Sequence, residues 1–347
     1  MIKGKGAQYN PSNPFSQQAI GQYHDEGIDE YTHEERPALE LFYETPKNVI
    51  STNNSPDLKL PYSVNPYQGC EHGCVYCYAR NSHTYWGFSA GLDFESKLII
   101  KKNVASQLAS QIQNPRWKVQ PIMLSGNTDC YQPIEKKLGL TRQVLEVMLK
   151  YRCPVSIISK NALVTRDLDI LKELATLDLV HVYFSITTLE EDLRSQLEPR
   201  TATAKKKLKA MELLASNRVP VGVMNAPIIP GLNHHEIPEV IRQAANSGAL
   251  NAGYTVVRLN GQIAQIFENW LEKTYPDRLH KVMNQVSELH GGKVNDTKWG
   301  RRITGSGQTA AMIKQLFDVA KSKYLKGKKM PPLSVAHFRK GGNYSLF

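Results

Sequence analysis

Short, nearly continuous apolar runs alternate with amphipathic helical stretches through the middle of the chain, and no other feature limits its possible folds as much. The runs fall at 63–67, 119–125, 155–159, 180–186, 219–225 and 252–259. They have few polar interruptions, which is the character of strands buried on both faces. Between them, helical periodicity predicts helices over 104–112, 141–151, 166–177, 204–216 and 236–247, with Thr141 and Thr203 as N-caps. Strands alternating with helices of that length pack as a parallel sheet with right-handed crossovers. Six such units fall two short of a closed eight-stranded barrel, so a curved, open α/β sheet is expected over 56–260. The segment 93–103 breaks the rhythm and predicts a short extra strand or hairpin. Residues 1–55 have little periodicity, and predict an extended arm wrapped on the main domain with its first dozen residues mobile. From 261 to 347 the pattern turns helical, at 262–275, 281–289 and 308–324, and predicts a C-terminal helical extension.

Three of the five cysteines, Cys70, Cys74 and Cys77, share one loop, GCEHGCVYCYAR, directly after the first predicted strand. Thiolates so closely spaced converge on a single metal centre, and no fourth cysteine follows nearby. Iron–sulfur clusters normally take four cysteines, so three leave one iron open, and an open metal position marks chemistry rather than scaffolding. Two other readings stand beside this one. A structural Cys₃His zinc site would recruit His72 or His83, and free cysteines also pack as small hydrophobes. Against core packing stand Gly69, Glu71, Gly73 and Arg80 in the same stretch. The spare cysteines, Cys130 and Cys153, are too few and too far apart for a second cluster. Five cysteines also make no disulfide framework, which points to a reducing, cytoplasmic compartment.

Together with its flanks PYSVNPYQGCEHGCVYCYAR, and with the later TDCYQPIE, ISKN and EPRTA, this loop resembles the radical S-adenosylmethionine (radical SAM) superfamily, in a bacterial branch related to spore photoproduct lyase. The resemblance covers residues from about 61 to about 259. It implies a partial (β/α)6 TIM-like barrel with one [4Fe–4S] cluster on Cys70, Cys74 and Cys77. It implies SAM held at the open iron by its amino and carboxylate groups and cleaved reductively to methionine and a 5′-deoxyadenosyl radical, which abstracts hydrogen from a substrate. An electron donor such as flavodoxin or ferredoxin goes with that chemistry.

Parallel α/β barrels gather their sites at the C-terminal strand ends, and each motif falls just after a predicted strand. The resemblance places Tyr76 beside the adenine, and Gly126, Asn127 and Thr128 near the SAM amino group; a plain turn is the rival reading for the latter three. Lys160, at the end of a buried strand, needs a partner that the SAM carboxylate would supply, unless its side chain reaches solvent. Ser185 and Thr187 suit ribose hydroxyls. Glu198 and Arg200 resemble the family's ribose- and carboxylate-contacting pair, arginine being suited to bidentate carboxylate recognition; a salt bridge to a neighbouring helix is the rival. Asn225 opens the apolar stretch that covers the adenine. Arg258 ends the sixth strand, within reach of substrate or of an acidic residue of the barrel. Cys130, beside Asp129, is a candidate catalytic hydrogen-atom donor, although related proteins are expected to carry proline there. Cys153 reads as packing.

The chain holds 43 Lys and Arg against 32 Asp and Glu, a net charge of +11, unevenly spread. Residues 291–347 carry twelve basic residues and two acids, whereas residues 1–50 carry four and eight. A concentrated positive surface attracts phosphate-bearing partners, which points to nucleic acid; lysines solvating a helix end are the rival. No run of about 18 apolar residues is present to span a membrane, and the polar start has no secretory character. The expected function is a radical SAM enzyme acting on an unidentified substrate, nucleic acid foremost. The alternatives are modification of a protein or metabolite, and a nucleic-acid-binding protein with a structural zinc site.

Overall fold

The computed structural model describes residues 2–15, 37–57 and 60–341; the acidic stretch at 24–35 lies outside them. Its strands are β1 (Glu40–Glu44), β2 (Ile50–Thr52), β3 (Tyr62–Val64), β4 (Tyr67–Gln68), β5 (Lys97–Lys101), β6 (Ile122–Leu124), β7 (Val155–Ser159), β8 (Val180–Ser185), β9 (Val221–Ile228) and β10 (Asn251–Val256). Six of them form the expected parallel sheet, in the order β10-β9-β8-β7-β6-β3, with β2 antiparallel on the outer edge of β3. Because β3 and β10 do not pair, the barrel stays open. Val155, Ile157, Val180, Val182, Phe184, Val221 and Val223 are wholly buried between sheet and helices, which is why these runs read as continuously apolar.

Two runs are shorter than their sequence suggested. The first breaks at Asn65-Pro66, where the ring restricts the preceding residue and removes a ladder donor. Its second half becomes β4, which leaves the sheet to pair with β5 in a separate three-stranded sheet β1-β5-β4. In the second, Pro121 confines pairing to Ile122–Leu124. The break expected at 93–103 is a single helical turn, Asp93–Ser96, followed by β5. Thr203 caps its helix by accepting from Lys206 N, as expected. Thr141 does not: it lies inside the helix Leu140–Tyr151 and donates to the Cys130 carbonyl.

Residues 6–9 of the N-terminal segment dock on the main domain. Gly6 N and Ala7 N donate to the Glu95 carboxylate at 3.1 and 2.8 Å, and Leu92 N donates to the Tyr9 carbonyl. At the other end of the chain, the helices Ile263–Thr274 and Leu279–Leu289 cover a second apolar core beneath the cysteine loop, built around Leu197, Ile229, Phe267 and Trp270. The helix Gly307–Tyr324 packs on the helix Ile237–Asn246 and leads into a strap along the N-terminal ends of the strands. Ser334 N donates to Asp178 O just before β8, Arg339 N to Tyr151 O before β7, and His181 Nε2 to Pro331 O. Among the described residues no helix is long and apolar enough to cross a membrane.

Deleting residues 331–347 removes these three hydrogen bonds, each worth about 1 kcal/mol net. The thermal midpoint is expected to fall by several degrees, at roughly 2–4 °C per kcal/mol, in circular-dichroism melts of otherwise intact protein. An unchanged midpoint would mean that the strap contributes nothing to the fold.

Candidate active site

The cysteine loop sits over the C-terminal end of β3, and each of its turns is pinned by a neighbouring element. Cys70 N donates to Phe94 O, Val75 N to Leu197 O, and Arg200 N to His72 O. Glu71, buried, accepts from Ile134 N at 2.6 Å and pairs with Arg200 Nη2 at 2.9 Å. Arg80, wholly buried, donates Nε to Cys74 O at 2.9 Å, Nη1 to Ala90 O and Gly91 O, and Nη2 to the Glu95 carboxylate. Gly6 leaves no room for a side chain, since a Cβ there would lie 1.7 Å from the Gly73 carbonyl oxygen. The N-terminal segment therefore lies directly against the loop.

All five cysteines are free; Cys70 and Cys74 are buried and Cys77 is half-buried. Burial drives the Cys70 thiol pKa well up, and Asp129 and the two other thiols push the same way. Burial also raises Cys74, with Glu198 adding and Lys160 opposing. Such thiols are neutral unless a cation binds them, and a coordinated cation deprotonates a thiol outright. Among the described residues, the one group of three His, Cys, Asp or Glu ligand atoms all within 4.8 Å of one another is Glu190, His235 and Glu236.

Beside Cys74 lies a buried polar network assembled from four strand ends. Lys160 Nζ, after β7, donates to Ser185 Oγ (2.9 Å), Thr187 Oγ1 (3.0 Å), Glu198 Oε1 (2.8 Å) and Ala226 O (3.2 Å). The hydroxyls of Tyr76 and Thr187 also donate to Glu198 Oε1. Lys207, wholly buried, donates to Ser185 O at 3.0 Å and stands 3.8 Å from Glu198 Oε2. Two ammonium groups thus share one carboxylate. Burial holds Lys160 down to about 8 and lowers Lys207 as well.

Tyr76, Lys160, Ser185 and Glu198 are thereby brought together. Asp129 links this network to the loop after β6, accepting from Lys160 N at 2.7 Å and Ser159 Oγ at 2.8 Å and facing His72 Nδ1 at 3.4 Å. In that loop Asn127 N donates to Asn65 Oδ1, Thr128 Oγ1 to Tyr67 O, and the Gly126 carbonyl accepts from Tyr78. Glycine at 126 is required by β3, because a Cβ would meet the Ser63 Cβ at 2.8 Å. Asn225, buried at the end of β9, donates to Ile186 O and leaves Oδ1 without a partner among the described residues. Cys130 is separated from this cluster, wholly buried in the main apolar core, as is Cys153. His83 is buried between Phe88 and Phe94 and held down to about 4 by burial.

Several members escaped the sequence reading. Lys207 looks like one of a solvated KKK run, yet it shares a 204, 207, 211, 214 stripe with Ala204, Met211 and Leu214, and that spacing marks the buried helix face. Asp129, His72 and the Arg80–Glu95 pair have no comparable signal, because their partners are distant in sequence.

The Radical SAM superfamily description matches residues 64–244 of this chain. A protein of Mycobacterium tuberculosis, described as uncharacterised, is 30% identical over 68% of this chain and 69% of its own length. One of Methanocaldococcus jannaschii, likewise described, is 28% identical over 72% of this chain and 89% of its own. Among solved structures, spore photoproduct lyase complexed with dinucleoside spore photoproduct superposes with a TM-score of 0.60 at 16% identity, over 83% of this chain and 80% of that one. At that identity the likeness shows the fold.

Glu198→Gln leaves Lys160 and Lys207 buried without their carboxylate, a change expected to cost about 3–5 kcal/mol at pH 7 in urea denaturation. The Lys160 pKa falls from the ordinary 10.5 to about 8 on folding, so the unfolded chain holds this proton more tightly. Stability from this group therefore rises with pH between those values. The deficit of Glu198→Gln should shrink as pH passes through 8, and a deficit that does not change with pH contradicts the assignment.

Proposed function

From the premise that the chain belongs to the radical SAM superfamily, we propose that Cys70, Cys74 and Cys77 hold one [4Fe–4S] cluster and that the protein cleaves SAM reductively. The observation that carries this reading is the placement of three free thiols on one buried loop at the C-terminal strand ends, beside a buried network that contains Lys160 and Lys207. The aromatic surroundings of His83 make it a poor fourth ligand for a single zinc ion, which favours the cluster. When bound, the cluster supplies the electron that breaks the sulfonium C–S bond, giving methionine and a 5′-deoxyadenosyl radical that takes hydrogen from the substrate. That electron comes from a donor of the flavodoxin or ferredoxin class.

The residues divide the work of holding SAM. Lys160 already has four acceptors within 3.2 Å, so it sets the local charge and orients Ser185, Thr187 and Glu198 toward the ribose. Arg200 is more exposed and among the described residues its side chain has one ion pair, to Glu71, which leaves N–H groups for the SAM carboxylate. Gly126, Asn127 and Thr128 lie on the side of the amino group and Tyr76 on that of the adenine. The unpartnered Asn225 Oδ1 is an acceptor of the kind a ligand N–H requires. Burial of Cys130 in the apolar core favours packing over hydrogen-atom donation. The dinucleoside bound by spore photoproduct lyase makes a nucleic acid substrate the first to test.

Anaerobically reconstituted protein is expected to carry about four irons per chain and to release 5′-deoxyadenosine with dithionite and SAM. Cys74→Ala is expected to lose both, and retained product would refute the ligand set. Arg200→Ala should weaken SAM binding about 10–100-fold, as loss of a charged hydrogen bond implies, with iron content unchanged. Loss of iron in that variant would instead make Arg200 a structural residue.

A further inference from the structure

The strap that carries much of the chain's positive charge does not face the cysteine loop. Lys321 Nζ donates to Ala252 O, Lys328 Nζ to Ala245 O and Lys340 Nζ to Pro115 O. All three acceptors lie at the N-terminal ends of strands or the C-terminal end of a helix, on the face opposite the site. These lysines are anchored to backbone carbonyls on the face away from the cysteine loop.

The opposite face has a different character. Arg258 follows β10, is half-buried, and among the described residues makes no hydrogen bond or ion pair. Its charged neighbours are Arg302, Asp57 and Asp296, with the Tyr78 phenol nearby. Both carboxylates are already engaged. Asp57 accepts from Gly300 N and Arg302 Nε, each at 2.6 Å, and Asp296 pairs with Arg301 and accepts from Lys298 N. Three guanidinium groups therefore face two carboxylates, and Arg258 is the one left over.

Two exposed rings, Tyr78 and Trp299, lie on the segments that meet at this cation, and two more follow along the chain from Tyr78, of which Tyr85 stacks on Phe15. Tyr78, next to Cys77 and tied to the loop after β6 through Gly126 O at 2.7 Å, is 50% exposed. Trp299 is 56% exposed with Arg302 over its face at 4.0 Å. Tyr85 and Trp86, in the same 3₁₀ stretch as Tyr78, are 77% and 45% exposed. That stretch is joined to the segment after β10 by Asn81 Nδ2 donating to Asn260 O at 2.7 Å. Rings of this size normally bury their area. Left open beside an unpaired cation, they match the stacking platforms that bind unpaired bases.

The geometry points to a single-stranded nucleic acid site at the barrel mouth, in which Arg258 takes a phosphate and Trp299 and Tyr78 stack bases next to the cysteine loop. This inference rests on the radical SAM reading above and names the substrate class for that site. A purely acidic protein partner would need the cations but would leave the exposed Tyr78 and Trp299 rings unused, so nucleic acid accounts for more of the surface. Burial and Arg302 both disfavour the Arg258 charge, and a bound phosphate relieves that cost.

The test uses full-length, anaerobically reconstituted protein and a fluorescein-labelled single-stranded oligodeoxynucleotide of about 12 residues, within the usual site size, read by anisotropy across salt concentrations. Arg258→Ala should weaken binding about tenfold and lower the salt slope by about 0.7, one single-strand phosphate contact. Trp299→Ala should weaken binding at least fivefold with the slope unchanged, as loss of one stacked base implies, and Trp299→Phe should recover most of it. Iron content and substrate-free release of 5′-deoxyadenosine should match wild type in all three. Wild-type affinity in both alanine variants overturns the proposal. So does equal displacement by a poly-glutamate peptide, or an affinity for the blunt duplex that equals that for the single strand. If 5′-deoxyadenosine release is absent while Trp299 and Arg258 still control oligonucleotide binding, the cluster reading fails and the surface stands.

Discussion

The arrangement at the open end of the sheet turns on one buried carboxylate, Glu198. It takes donors from the end of β7 through Lys160, from the exit of β8 through Thr187, and from the cysteine loop through Tyr76, with Lys207 of the helix Ala204–Ser216 beside its other oxygen. Taking a carboxylate and two ammonium groups out of water is expensive, and their attraction offsets that only when the remaining donors and acceptors are satisfied. Here they are, by two hydroxyls and by the Ser185 and Ala226 carbonyls. Such a network adds little net stability over an apolar core, but it has only one arrangement in which all members are paired. It therefore fixes where each strand end sits relative to the cysteines.

A second buried pair repeats this logic on the other side of the loop. Arg80 and Glu95 are both wholly buried, and each makes further hydrogen bonds: Arg80 to three backbone carbonyls, Glu95 to two backbone N–H groups of the N-terminal segment. The loop is thus held between two saturated ionic hubs. Backbone N–H groups of His72, Ala79 and Arg80 in turn point at the Cys70 and Cys77 sulfurs, contacts that favour the thiolates a metal centre requires. The Arg80–Glu95 hub also explains why residues far from the barrel in sequence, Gly6 and Ala7, lie in van der Waals contact with it.

Much of the fold was legible because strand burial and helix amphipathicity leave local, periodic marks. The six parallel strands, their order of appearance and the position of the cysteine loop at a strand end all follow from such marks. What local patterns did not carry was pairing. Pro66 divides the first run, but only the presence of β5 decides that its second half leaves the sheet. Lys160, Ser185, Thr187 and Glu198 were visible as residues at strand ends. Their convergence on a single carboxylate, with Lys207 as a fifth member, depends on crossings between elements that no window of sequence contains. Gly126 has a requirement that no local pattern shows: its small size is demanded by Ser63 of the adjoining strand.

Net charge was the least transferable signal, for a physical reason. A lysine tail and an unpaired arginine count equally in a sum, yet they differ in what their protons already do. Lys321, Lys328 and Lys340 spend their donors on carbonyls at the closed end of the barrel, where the carbonyl ends of helices favour cations. Each such bond fixes its side chain on that face without cancelling its charge. Arg258 has no such partner and sits at the end where the thiols are, with Asp57 and Asp296 held by Arg302 and Arg301. Its field is therefore directed at whatever enters the mouth. Unbalanced charge next to exposed rings, rather than the total of +11, is the feature on which the proposed nucleic acid site rests.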